Sequence, residues 1–195
     1  MALTRRMFAQ LVASALLLRH LPALAQTPLT VAVGGSPGPN ITQRVVSAGA
    51  PADMLLLAVA PEKLVGLSSF DLSRQTAIPF HDDIRALPKL GRLAGRASTL
   101  SLEALLALKP DLVVDCGNAD ETWLSQARQV SAQTHIPWLL INGELRHTPE
   151  QLRAAGEALG VVSRTAMQAA LARRFIDNAI AFSHTAAANQ IGRAS

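Results

Sequence analysis

The sequence predicts an α/β fold: a mostly parallel sheet flanked by helices, followed by one long C-terminal helix. Three observations predict it. Short apolar runs rich in β-branched residues alternate with stretches at helical spacing, the pattern of repeated strand–helix–strand units. The chain has 195 residues, 49% hydrophobic and 16% charged, enough for one domain with a packed core and unlike a disordered chain or a coiled coil. From Ser163 to about Ala188 the chain is Ala-rich and free of Gly and Pro.

Residues 1–25 read as an export signal. Thr4-Arg5-Arg6-Met7-Phe8 precedes an apolar run from Ala9 to Leu18 and a small-x-small end at Ala23-Leu24-Ala25, with cleavage expected before Gln26. The arginine pair resembles a twin-arginine leader. The apolar run is about half of what spans a bilayer, and a lipid anchor is excluded because no Cys lies near the cleavage site. Arg5, Arg6 and Arg19 account for most of the net charge of +4; without them, 15 basic residues face 14 acidic ones. With no Tyr, two Trp and five Phe, the body lacks the basic patch and stacking aromatics of a nucleic-acid binder. Cys116 is the single cysteine, so stability comes from the core and not from an internal disulfide.

Residues 26–43, with Gly34-Gly35-Ser36-Pro37-Gly38-Pro39, read as a linker or an N-terminal hairpin. Pro37 and Pro39 remove backbone donors, which argues against a phosphate cradle. Arg44 to Gly49 forms a first buried strand, and Pro51 and Asp53 open a helix reaching Val59. Lys63 to Leu67 is a second strand, and a polar loop with Pro79 and Pro88 follows. Ser101 caps a helix over Leu102–Leu108 that Pro110 closes. Leu112–Asp115 is a third strand, with Cys116-Gly117-Asn118 as its turn. Asp120-Glu121 open a helix to about Gln133, Pro137–Ile141 is a fourth strand, and Thr148-Pro149-Glu150 starts the next helix by cap, proline and acid.

In a parallel sheet the loops at the C-terminal strand ends form the ligand crevice. That rule selects Gly49–Pro51, Ser68–Phe70, Cys116–Asn118 and Asn142–Glu144. Arg92 and Arg96, in a Gly-broken loop, carry guanidinium groups suited to fork onto a carboxylate or phosphate. His81-Asp82-Asp83 offers metal-ligating groups but also reads as a solvated loop. Cys116 beside Asp115 suggests a thiol nucleophile with His135 or His147 as base, yet nothing in the sequence brings either His to it, and the carboxylate disfavours the thiolate. No nucleophile, base and oxyanion donor assemble.

Arg44–Pro51, Lys63–Ser69, Leu87-Pro88-Lys89-Leu90-Gly91 and above all Ser101-Leu102-Glu103-Ala104-Leu105-Leu106-Ala107-Leu108-Lys109-Pro110-Asp111-Leu112-Val113 resemble, in that order, the periplasmic substrate-binding proteins of ABC importers for iron chelates, haem and cobalamin. His135-Ile136-Pro137-Trp138 is similar to that family's strand start, with His135 where Gly is usual. The resemblance covers roughly Arg44 to Ala188. It implies a Rossmann-like first lobe over 44–160, a joining helix over 161–188 and a tail at 189–195 that stops before a second lobe.

It further implies a periplasmic monomer without cofactor or catalytic residues. Its ligand would be a metal complex, and its partner a permease in the inner membrane. Glu103 matches the acid that docks on the permease. Ala50 and Pro51 match the crevice loop after the first strand, Phe70 an aromatic ligand-contact position after the second, and Cys116 another that is aromatic in cobalamin binders; Ser69, Gly117 and Asn118, beside them in the strand-end loops, are further candidate ligand contacts. Arg92 and Arg96 fall near further contacts. The alternative is an exported α/β enzyme using Cys116 or a metal at His81, Asp82 and Asp83.

Overall fold

The computed structural model describes residues 28–35, 38–74, 80–93 and 98–191. The leader and Arg96 lie outside them. Five strands form one sheet: β1 (Thr30–Val33), β2 (Val45–Ser47), β3 (Leu64–Gly66), β4 (Leu112–Gly117) and β5 (Trp138–Asn142). Their order is β1-β5-β4-β2-β3, with β5, β4, β2 and β3 mutually parallel. The helices are α1 (Ala50–Val59), α2 (Asp82–Arg85), α3 (Leu102–Ala107), α4 (Glu121–Thr134), α5 (Thr148–Leu159) and α6 (Val162–Ile191).

Central strands buried on both faces need continuous apolar runs rather than alternation. Val45-Val46 and Leu112-Val113-Val114 supply them. Val45, Val114, Leu139 and Ile141 pack with Leu56 and Val59 of α1, Leu152, Ala155 and Leu159 of α5, and Ala169 of α6. On the other face Val46, Val113, Trp138 and Leu140 pack with Leu105 of α3, Ala127 of α4, and Leu93 and Leu100. The result is a three-layer sandwich, as strands alternating with helices predict.

Four expectations need correction. Thr30–Val33, placed in a linker or hairpin, is edge strand β1, paired antiparallel with β5 from Thr30–Ile141 to Val33–Trp138. Its short alternating sequence finds hydrogen bonds on a distant edge, not on its chain neighbour. Cys116 and Gly117 are not a turn: they continue β4 beside Ile141 and Asn142. The polar loop contains the single turn α2, whose N-cap is His81. Thr148 does not cap α5; its hydroxyl donates to the Leu145 carbonyl at 2.7 Å, and the N-cap position falls to His147.

The caps at Ser101 and Asp120 form as predicted. Ser101 Oγ accepts from the Ala104 N–H at 3.2 Å, and Asp120 Oδ1 from Thr122 and Trp123. His135 ends α4 with φ 58°, an uncommon left-handed conformation for a residue other than Gly. The long helix α6 runs unbroken from Val162 to Ile191, and among the described residues no helix is long and apolar enough to cross a membrane.

Candidate functional site

The chain leaves β2 towards β3 on one side and returns to β4 on the other, so the connections after β2 and β4 diverge between these two strands. Such a switch point opens a crevice at the C-terminal edge. The tips after β2, β3, β4 and β5 lie there, and hydrogen bonds join them.

Asp53, in the first turn of α1, is fully buried and holds the loop after β3. Its Oδ1 accepts from Ser68 N–H at 2.8 Å; its Oδ2 accepts from Ser68 Oγ at 2.9 Å and Ser69 N–H at 2.9 Å. A short acid one turn into the helix reaches back over the edge and fixes where Ser69 and Phe70 stand. Sequence reasoning took Asp53 only as a helix-terminus charge. The unread signal was the Ser68-Ser69 pair after the next strand, whose donors needed an acceptor.

Ser47 Oγ donates to the Gly49 carbonyl at 3.0 Å, and the Ala48 N–H donates to Val114 at 2.9 Å. The Gly143 N–H donates to the Gly117 carbonyl at 2.7 Å, tying the last two tips together. A Cβ on Gly143 would stand 3.1 Å from Gly117 Cα, so this close approach suits glycine. Segment 88–93 then straps the edge. Leu90 N–H bonds Leu67 at 2.7 Å, Leu93 N–H bonds Ala48 at 3.0 Å, and Gln126 Nε2 holds the Leu93 carbonyl at 3.1 Å.

The predicted site residues distribute over this edge. Pro51 and Asn118 are exposed; Ala50, Ser69, Phe70, Cys116 and Gly117 are half-buried. Phe70 rests against the core on the α1 side, as does Cys116. Arg92 is exposed on the strap. Glu103 is exposed in the first turn of α3, and hydrogen bonding from its own backbone N–H and then from Ser101 holds its carboxyl below the ordinary glutamate range. A carboxylate there is fully charged at neutral pH.

The edge carries opposed electrostatics. The N-termini of α1 and α4 point their positive ends towards it, which favours anionic groups. Asp115, near the end of β4, is 4% exposed and accepts the Cys116 N–H at 2.9 Å. Burial raises its pKa to about 6 against the lowering effect of that hydrogen bond. The Cys116 thiol is pushed up to about 11, by burial first and by the Asp115 charge second. It is therefore protonated at neutral pH, the reverse of what a nucleophile needs.

His135 stands at the opposite edge, lining a cavity of about 550 Å³ with Val33, Gly34, Arg128 and Ser131. His147 lies after β5, 3.7 Å from Glu144. His81, Asp82 and Asp83 are all exposed, and among the described residues no three His, Cys, Asp or Glu side chains are grouped to hold a metal. His81 and Asp83 instead border a groove of about 480 Å³ with Glu62, Leu64, Ile84 and Arg164, at the start of β3 and away from the strand tips.

No protein-family model and no curated protein matches the sequence. Solved structures do. An ABC transporter solute-binding protein from Sulfurospirillum deleyianum superposes with a TM-score of 0.61 at 22% identity, over 70% of this chain and 43% of its own. The chain shares its fold with part of a solute-binding protein. An ABC transporter substrate-binding protein from Listeria monocytogenes (TM-score 0.53, 13% identity, 70% of this chain and 48% of its own) and Staphylococcus aureus SirA complexed with staphyloferrin B (TM-score 0.51, 19% identity, 79% and 48%) have the same solute-binding fold. The chain thus spans less than half the length of each. The likeness is one of α/β fold, as the sequence resemblance implied.

Proposed function

We propose that this chain provides one ligand-gripping lobe of the solute-binding component of an ABC importer, and that its cargo is a metal chelate of the iron-chelate class. The observation that carries this reading is the edge itself: four strand tips and a strap, hydrogen-bonded into one floor at the switch point of a solute-binding fold. Fixed loops cost little further ordering when a ligand arrives. The complex of SirA with staphyloferrin B shows that the same fold takes a small ligand in that protein. The sequence resemblance supplies the chelate class.

In this reading Ala50, Pro51, Ser69, Phe70, Cys116, Gly117 and Asn118 contact the ligand, with Arg92 and Arg96 pairing with its anionic groups. Glu103, exposed and charged, docks on an arginine of the membrane permease. The leader delivers the protein to the periplasm and is removed before Gln26. The role is capture and delivery without turnover. The exported-enzyme alternative gains nothing from Cys116, whose thiol stays protonated.

Titration of the processed protein with haemin, ferric citrate, a ferric hydroxamate and cobalamin, followed by quenching of Trp123 and Trp138 fluorescence and by thermal shift, tests the reading. Saturable quenching with a raised melting temperature for at least one ferric chelate is expected. Silence with all four overturns it. For the anion contact, Arg92→Ala with Arg96→Ala is expected to weaken binding of the responding chelate about tenfold or more; unchanged affinity removes that contact.

A further inference from the structure

One charged group in the floor of the edge is left without a counter-charge. Asp115 lies on the face of β4 from which Val113 packs against α3 and α4, because alternate residues of a strand share a face. It is 4% exposed. Its Oδ1 accepts from the N–H of Cys116, the next residue, at 2.9 Å, which draws the carboxylate along the strand towards the tip. Its Oδ2 accepts from no described group, and no Lys, Arg or His among the described residues pairs with it. Trp138 Nε1 is sealed without a partner; Asp115 Oδ2 is not, and keeps a narrow opening to solvent.

That opening lies towards the strand tips. Leu140 stands level with Asp115 on β5, and Val113 and Trp138 stand on the side away from the tips, so apolar side chains close the slot below. Gly117, two residues further along on the same face, has no side chain, and a Cβ built there would meet nothing within 4 Å. The way out from Asp115 therefore runs over Gly117 to the floor formed by the four tips.

We propose that Asp115 sets the specificity of the edge by pairing with the primary ammonium at the end of an alkyl arm of the cargo. The inference rests on the ligand reading above and adds to it the charge and shape of one arm of the chelate. A carboxylate taken this far from water needs a counter-charge, which the chain does not supply and a neutral hydroxyl would not bring. A group that is 4% exposed is beyond the reach of a bulky metal centre resting on the rim, whereas a thin arm passes over Gly117 to it. The N-termini of α1 and α4 favour the anionic part of the same chelate. The cargo that fits this edge carries both signs.

Fluorescence titration of the processed protein at about pH 7.5, above the Asp115 pKa of about 6, tests the contact. A linear ferric trihydroxamate ending in a primary amine is compared with the same chelate acetylated on that amine. The wild type is expected to bind the amine form at least tenfold more tightly. Asp115→Asn and Asp115→Ser, with folding checked by circular dichroism, are expected to bind both forms alike. Glu157→Gln, which removes an equal charge from an exposed position on α5, is expected to keep the wild-type preference. Equal binding of the two forms by the wild type, or a preference that survives in the Asp115 variants, overturns the contact and leaves the ligand reading in place. Silence towards both forms while haemin, ferric citrate or cobalamin binds also overturns the contact alone. Silence with every chelate overturns the ligand reading as well.

Discussion

Asp53 is the side chain on which the shape of the strand-tip edge most depends. It accepts three hydrogen bonds from Ser68 and Ser69, and removing it leaves buried backbone donors unmet. Asp53→Ala is expected to lower unfolding free energy by about 3 kcal/mol, read from urea denaturation, while Asp53→Asn, which keeps an acceptor, costs less. Asp115 acts in the opposite direction. Because its folded pKa is raised to about 6, the folded state retains a proton that the unfolded chain has already lost above the ordinary aspartate range. Asp115's own contribution is therefore expected to lower stability as pH rises from about 4 to 6, by about 2–3 kcal/mol, against the gain from carboxylates such as Glu62 and Glu103 whose pKa is lowered. Asp115→Asn should flatten that slope and be the more stable protein at pH 8. A difference between the wild-type and Asp115→Asn profiles that stays constant over that range would contradict the buried carboxylate. Cys116 follows from the same environment: alkylation by iodoacetamide is expected to be slow at pH 8 and to accelerate only towards pH 11.

At the scale of elements, the join of α5 to α6 rests on one pair. A Cβ added at Gly156 would overlap the hydroxyl of the fully buried Thr165. Gly156→Ala is expected to destabilise by about 2 kcal/mol, the overpacking outweighing the gain in helix propensity, and Thr165→Ala to recover most of that loss in the double variant. Thermal unfolding of the two single variants and the double variant reads the coupling directly. Arg173 with Glu150 adds an ion pair along the same junction, and Arg164 with Glu62 ties α6 to the turn before β3, but both pairs are partly exposed and contribute little.

The elements that sequence reasoning located were those with strong local signals. Val45-Val46 and Leu112-Val113-Val114 are apolar on both faces, Ser101 and Asp120 cap their helices, and the stretch after Ser163 has no breaker. The misses have non-local causes. Strand β1 is stabilised by β5, more than a hundred residues away, and four alternating residues beside a Gly/Pro cluster do not announce such a partner. The turn placed at Cys116 failed because Ile141 and Asn142 extend the ladder past Asp115. The residues of the edge were legible through the parallel-sheet rule, whereas the Asp53 clamp and the strap through Leu93 arise from contacts that only folding creates.

At the scale of the whole molecule, one sheet has two edges with different contents. The N-terminal ends of the strands border the cavity at His135 and the groove at His81. The C-terminal ends bring four loops into one hydrogen-bonded floor, and this contrast supports placing the ligand there. Amide hydrogen exchange, with and without a saturating ferric chelate identified by the fluorescence titration, reads where the ligand sits. Protection is expected to gather at residues 49–51, 68–70, 116–118 and 142–144, with no change around Arg128–His135 or His81–Ile84. Protection confined to those opposite-edge sites, with the strand tips unaltered, would contradict it.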